Sequence, residues 1–247
     1  MALKKMNKKQ DASQGFLAQR RNIINENSNF SVQEAYKTLR TNLRFAANRE
    51  GCKRFCVTSG LAGEGKSITI LNLAISFAQA GSKVLLIDAD MRRPNLARLL
   101  IENGTPGLSN ILAGLCEASQ AVRPEIRPNL DIIFSGEIPP NPSELLGNER
   151  MEKLIAEMSE KYDYIFVDAP PVGFVSDACL VGDLVDGVLF VARQNYSNRD
   201  SVSSAVNQLQ IAGIKIIGFI LNSVVEASKG KTRYYDKFYQ SRMGDMQ

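Results

Sequence analysis

Short runs of apolar residues alternate along this chain with segments whose apolar positions recur every three or four residues. Cys52 to Ser59, Val84 to Ile87, Asn129 to Phe134, Tyr164 to Val167, Val188 to Ala192 and Ile214 to Leu221 read as strands. Most are nearly continuous in apolar residues, as strands covered on both faces are. The spacing predicts helices over Lys66 to Ala80, Leu96 to Ile101, Leu108 to Leu115, Glu149 to Lys161 and Arg199 to Ala212. Gly81 follows the first of these where a C′ glycine would end a helix. A further helix precedes the first strand and runs to about Asn48. Ser31 stands as its N-cap with Glu34 at N3, a capping box, and Val32, Ala35, Tyr36, Leu39, Leu43 and Ala46 share one side. The alternation predicts an α/β fold, a mostly parallel sheet flanked by helices on both faces. Residues 1–30 are polar and basic and read as a mobile arm. The folded domain is expected over 31–225, followed by a polar tail over 226–247.

Composition narrows the chemistry. The 247 residues suit one large domain with tails, and a formal charge of +4 gives no ground for a nucleic-acid partner. No histidine is present, which excludes histidine bases, His–metal sites and Ser-His-Asp triads. Proton transfer falls to carboxylates, Lys, Cys or Tyr. Cys52, Cys56, Cys116 and Cys179 form no C-x-x-C pair, and Cys56 and Cys179 read as reduced core thiols. No apolar stretch follows the lysines of Met1 to Gln10, and no segment approaches the ~20 apolar residues of a membrane span. The chain is therefore expected in the cytosol.

Residues Gly60-Leu61-Ala62-Gly63-Glu64-Gly65-Lys66-Ser67 spell G-x-x-x-x-G-K-[ST] between a strand and a helix. That is the context a phosphate-binding loop requires. Its glycines let backbone N–H groups turn around phosphate oxygens, and the helix presents its positive end to the same anion. Through Ile68, this stretch is the candidate nucleotide cradle. Two other apolar strands end in acids, at Asp88-Ala89-Asp90 and at Asp168. The carboxyl ends of parallel strands open onto one edge of a sheet, so these acids should converge on the cradle. Carboxylates beside a triphosphate call for a divalent cation, and Mg²⁺ suits few carboxylates and several waters. Ser67 and Asp168 are the first candidate ligands, with Asp88 and Asp90 beside them.

Together, Gly60 to Ser67, Leu85 to Arg92 and Val167-Asp168 resemble the Walker A, A′ and B motifs of the bacterial tyrosine kinases. These are relatives of the MinD/ParA ATPases that serve capsule and exopolysaccharide synthesis. The likeness extends over about residues 31–240. It includes Asp90-Met91-Arg92-Arg93-Pro94, Asn141-Pro142-Ser143-Glu144-Leu145-Leu146 and Asp168-Ala169-Pro170-Pro171. It implies a MinD-like P-loop NTPase architecture with ATP and Mg²⁺ as cofactors. Lys66 would neutralise the transferring phosphoryl group, Asp88 would act as base, Asp90 would support the metal or its waters, and Arg92 would position the acceptor or phosphate. Asn222 resembles the adenine-reading asparagine of the superfamily, and a structural amide cap fits it equally.

Glu34-x-x-Lys37-x-x-Arg40 is similar to the family's ring-forming E-x-x-R-x-x-R motif, with Lys for the first Arg. An ordinary solvated i,i+3 pair also explains it. Tyr234, Tyr235 and Tyr239 stand where the family carries phosphoacceptor tyrosines, although their spacing with Phe238 also fits an amphipathic docking or membrane-surface helix. The resemblance further implies a homo-oligomeric ring, a separate transmembrane activator that recruits the chain to the inner face of the membrane, and a cognate phosphotyrosine phosphatase. A MinD/ParA-type switch ATPase is the alternative, but those proteins carry a second lysine where this chain has Leu61. A scaffold that merely holds nucleotide has no need of Lys66, Ser67 and the three aspartates.

Overall fold

In the computed structural model, which describes residues 19–47 and 51–225, the apolar runs pair into one sheet of seven strands. In chain order the strands are β1 (Lys53–Ser59), β2 (Val84–Asp88), β3 (Val122–Arg127), β4 (Leu130–Ile133), β5 (Tyr164–Asp168), β6 (Gly187–Arg193) and β7 (Ile216–Asn222). The helices are α1 (Phe30–Ala46), α2 (Lys66–Gln79), α3 (Leu96–Leu100), α4 (Leu108–Leu112), α5 (Ala118–Ala121), α6 (Pro142–Leu146), α7 (Glu149–Ser159), α8 (Asp177–Asp183) and α9 (Arg199–Ile211). The sheet order is β3-β4-β2-β5-β1-β6-β7. Every pair is parallel except β3 with β4. The expected tail, with Tyr234, Tyr235 and Tyr239, lies outside the described residues.

Alternation along the strands divides the core in two. Phe55, Val57, Leu86, Phe166 and Val191 face α1, α2 and α3, whereas Cys56, Leu85, Ile87, Ile165, Val167 and Phe190 face α4 to α9. Phe77 of α2 packs on Tyr164 and Phe166, with ring centroids at 4.4 and 5.3 Å. Every side chain of β2 and β5 is buried, which accounts for their uninterrupted apolar runs. All four cysteines are free; Cys56 is buried, and burial pushes its thiol pKa up.

Two local expectations are corrected, and one strand carries no signal in the sequence. The first helix starts at Phe30 with Asn29 as N-cap, so Ser31 lies inside it. The Asn29 carbonyl accepts from the N–H groups of Val32 and Gln33, and Glu34 pairs with Lys37 instead of closing a capping box. Next, β3 carries Pro124 and charged residues without an apolar run. It is the antiparallel edge strand, where charge and proline are tolerated and half the side chains meet water.

The second correction concerns the basic arm. Residues 19–29, the described part of it that precedes α1, pack on the domain. Ile23 and Ile24 are buried. Buried Asn72 of α2 accepts from the Ile24 N–H at 3.0 Å and donates to the Asn22 carbonyl at 2.8 Å. Its amide also donates to the Tyr36 hydroxyl of α1 at 3.1 Å. Arg20 Nε reaches the Leu99 carbonyl at 3.1 Å. Asn72→Ala would strand these polar groups in an apolar layer. It should lower unfolding stability in urea by about 2 kcal/mol and open residues 19–29 to limited proteolysis.

Candidate active site

The neighbouring positions of β1, β5 and β2 bring chemistry from distant parts of the chain to one edge. Asp168 lies in register with Asp88 on one side and Val57 on the other. The loop Gly60 to Gly65 leaves β1 just beyond this point and enters α2. Gly63 and Gly65 hold φ values of +85° and +90°, which side chains rarely adopt. A Cβ on Gly65 would stand 2.0 Å from Asn222 Nδ2.

Four consecutive carbonyls of the loop point outward, each into a side-chain donor. Leu61 O accepts from Ser59 Oγ at 2.8 Å, Ala62 O from Tyr196 Oη at 2.8 Å, Gly63 O from Arg193 Nη1 at 3.2 Å and Glu64 O from Asn222 Nδ2 at 2.9 Å. In a planar trans peptide the following N–H points the opposite way. The N–H groups of Ala62, Gly63, Glu64 and Gly65 accordingly face inward, and they donate to nothing among the described residues. Such a nest of converging donors is built for an anion. Glu64 is itself buried, accepting from the Leu61 N–H at 2.8 Å and from the Ser197 hydroxyl.

Lys66 reaches back across the edge to Asp90 Oδ2 at 2.8 Å, with Asp168 Oδ1 at 3.7 Å. Burial alone would pull its ammonium pKa down. Asp168, Asp90 and Asp88 outweigh that and hold it above the ordinary lysine value. Asp88 accepts from the N–H groups of Asp90 and Leu96, both at 3.2 Å. Burial, then the Asp168 charge, pushes its carboxyl up to about 8. Asp90 accepts from Lys66 on one oxygen and from the Arg93 N–H, at 3.0 Å, on the other. Asp168 differs. It is fully buried, with Lys66 at 3.7 Å and the Ser67 hydroxyl near it, yet neither carboxylate oxygen has a hydrogen-bond donor within 3.5 Å. Burial raises its pKa, against the pull of the Lys66 ammonium and the Ser67 hydroxyl.

A buried carboxylate without donors fits a cation. Of the four expected ligands, Asp168 is the carboxylate whose oxygens are free, and Ser67 sits beside it at the start of α2. Asp88 and Asp90 are committed to backbone and lysine donors. Among the described residues no group of three acidic or sulfur side chains could hold a metal by itself, so phosphate oxygens and water would have to complete the shell of a Mg²⁺ ion.

Other expected site residues have different occupations. Arg92 is clamped by buried Asp177 at 2.8 and 3.1 Å and by Ser143 at 2.8 Å. Its guanidinium therefore joins the loop after β2 to α6 and α8. The Asn222 amide oxygen accepts from the Ser223 N–H at 2.8 Å while its nitrogen holds the Glu64 carbonyl of the loop. Ile68 packs against the core through α2. Glu34 and Lys37 pair with each other at 2.7 Å on the exposed side of α1, whereas Arg40 turns inward to the Ser76 carbonyl and hydroxyl. Ser59, Arg193, Tyr196 and Ser197, which shape the cradle from outside, carry no motif. Their role becomes visible only when β6 and β1 lie side by side.

The site is thus a nucleotide cradle of the P-loop class, with acids gathered at the adjoining strand ends. The AAA domain family matches residues 53–211. YwqD, a tyrosine-protein kinase of Bacillus subtilis (strain 168), is 38% identical over 210 residues, which cover 84% of this chain and 89% of YwqD. The kinase domain of Escherichia coli tyrosine kinase ETK superposes with a TM-score of 0.77 at 38% identity, covering 81% of this chain and 78% of that one. The chimerical protein CapA2B2 superposes with a TM-score of 0.78 at 32% identity, covering 83% and 90%. The chain belongs to the bacterial tyrosine-protein kinases, and its activity is that of a protein-tyrosine kinase.

Crowded carboxyls make the nucleotide-free site a source of instability. A carboxyl whose pKa is higher folded than unfolded favours the folded state while protonated, and that contribution is lost as pH rises towards the folded value. For Asp88 the window runs from the ordinary carboxylate range up to about 8. Asp168→Asn removes the larger charge acting on it. The variant should melt about 2–4 °C above the wild type without nucleotide, the change expected for ~1 kcal/mol in a domain of this size. The gap should be wider at high pH than at low pH.

Proposed function

We propose that this kinase binds ATP with Mg²⁺ in the Gly60 to Ser67 cradle and transfers the γ-phosphoryl group to Tyr234, Tyr235 and Tyr239 of a neighbouring copy. We propose further that this modification regulates capsular or exopolysaccharide synthesis or export. The observation that carries the reading is the pairing of the inward-turned loop amides with a buried Lys66 ammonium and the donor-free Asp168 carboxylate.

In this reading the loop amides bind the phosphates, and Lys66 neutralises charge that builds on the transferring group in a loose transition state. Leaving Asp90 for the phosphate keeps the ammonium within an acidic neighbourhood that stabilises it as a cation. Ser67 and Asp168 would hold Mg²⁺, which would supply charge neutralisation at the phosphates. Asp88 orients the acceptor hydroxyl and takes its proton late, on a carboxylate oxygen. A phenol near ~10 and an ordinary carboxylate near ~4 are separated by about six pKa units. Burial raises the Asp88 carboxyl and narrows that gap. Arg92, held by Asp177 and Ser143, supports the wall on which the acceptor would lie.

The partners follow from the family. A separate transmembrane activator would recruit the kinase from the cytoplasm to the inner face of the membrane. Copies would assemble as a ring through α1, with Glu34 and Lys37 on its exposed side, and a cognate phosphatase would reset the tail.

Incubation with γ-labelled ATP and Mg²⁺, with an activator fragment supplied, should label tyrosine. The label should disappear in Lys66→Met and in the triple variant Tyr234→Phe, Tyr235→Phe, Tyr239→Phe. Release of free phosphate without label on protein would overturn the reading. Each phosphotyrosine adds roughly −1.5 to −2 charges to a basic tail that would otherwise rest beside ATP and acids. Phosphorylated protein should therefore elute as a smaller species in size-exclusion chromatography than unmodified protein.

A further inference from the structure

The connection between β6 and α9, residues 194–198, forms a strap along the outer side of the phosphate loop. Tyr196 lies half-exposed with its hydroxyl on the Ala62 carbonyl at 2.8 Å. The Arg193 guanidinium stacks over the Tyr196 ring, 5.4 Å from its centroid, while Nη1 reaches the Gly63 carbonyl at 3.2 Å. Ser197 Oγ accepts from the Arg193 N–H at 2.7 Å and donates to Glu64, which in turn holds the Leu61 N–H.

These contacts determine which way the loop amides face. A loop with glycines at positive φ has much backbone freedom, and unassisted it would lose that freedom only when phosphate binds. Donors fixed on a neighbouring element take up the outward carbonyls beforehand, so the inward N–H groups stand ready. The geometry points to Tyr196, assisted by Arg193, as a positioning residue for nucleotide: it touches no phosphate and sets the affinity of the cradle by holding the Ala62 and Gly63 carbonyls outward. This rests on the reading of Gly60 to Ser67 as the nucleotide site. It predicts that affinity depends on a hydroxyl outside the motif, behind the loop.

Tyr196→Phe removes one hydroxyl from a half-exposed ring and leaves the Arg193 stack in place. Calorimetric titration with ADP and Mg²⁺ should show a dissociation constant raised about fivefold, as loss of one neutral hydrogen bond implies. The KM for ATP should rise in step, with kcat at saturating ATP unchanged. In nucleotide-free protein, the Leu61 amide, held by Glu64, should exchange with deuterium faster than in wild type, while those of β1 and β5 keep their protection. The double variant with Arg193→Gln should weaken ADP binding further. Wild-type affinity and loop exchange in Tyr196→Phe would overturn the inference, as would a fall in kcat with KM unchanged. A wild-type protein that binds no ADP would instead sink the assignment of the cradle, and the two failures are distinguished by the first titration.

Discussion

One ammonium set among three carboxyl groups is the interaction on which this structure turns. Lys66 lies 2.8 Å from Asp90 and 3.7 Å from Asp168, and Asp88 stands in register beside Asp168. Buried acids repel one another and resist ionisation, so such a cluster costs stability wherever it occurs. Here parallel strand register enforces it, because β2 and β5 end together and both are buried on both faces. The fold can tolerate the cost because two apolar layers, one on each side of the sheet, hold the strands in that register.

The cluster is graded. Asp88 is tied to backbone donors, Asp90 to Lys66 and backbone, and Asp168 only to the more distant Lys66 charge. Acids of the same type thus differ in what they can do. Asp88 and Asp168 are both raised in pKa, Asp90 holds the lysine, and Asp168 keeps its oxygens without a close donor. Across the edge the phosphate loop shows the complementary arrangement, with its carbonyls satisfied from outside and its amides left for an anion. The proposed phosphoryl transfer draws on both half-sites.

Much of this was legible in the residues. The strand–loop–helix context of Gly60 to Ser67, the acids at the ends of apolar strands and the alternation of buried strands with helices all led to a parallel sheet with one chemical edge. Local signals failed where they are weak. The edge strand Val122–Arg127 has no apolar run because half of it meets water. Ser31 looked like an N-cap because Asn29 caps through its carbonyl and makes no side-chain cap hydrogen bond. Residues 19–29 looked like an arm because two buried isoleucines and a few dispersed hydrogen bonds, from Arg20 to Leu99 and with Asn72 of α2, hold them down.

What the chain alone determined was the order of elements, the identity of the phosphate loop and which residue types were available for chemistry. Those are properties of contiguous residues, since periodicity and turn chemistry act over a few positions. Tertiary structure decided which lone pairs and donors remained free. It gave Arg92 to Asp177, turned Arg40 onto Ser76, placed the Asn222 amide against Glu64 and laid Tyr196 on Ala62. A hydrogen bond extends only about 3 Å, so its partners are set by strand register and helix packing between segments up to 158 residues apart. No local pattern carries that information.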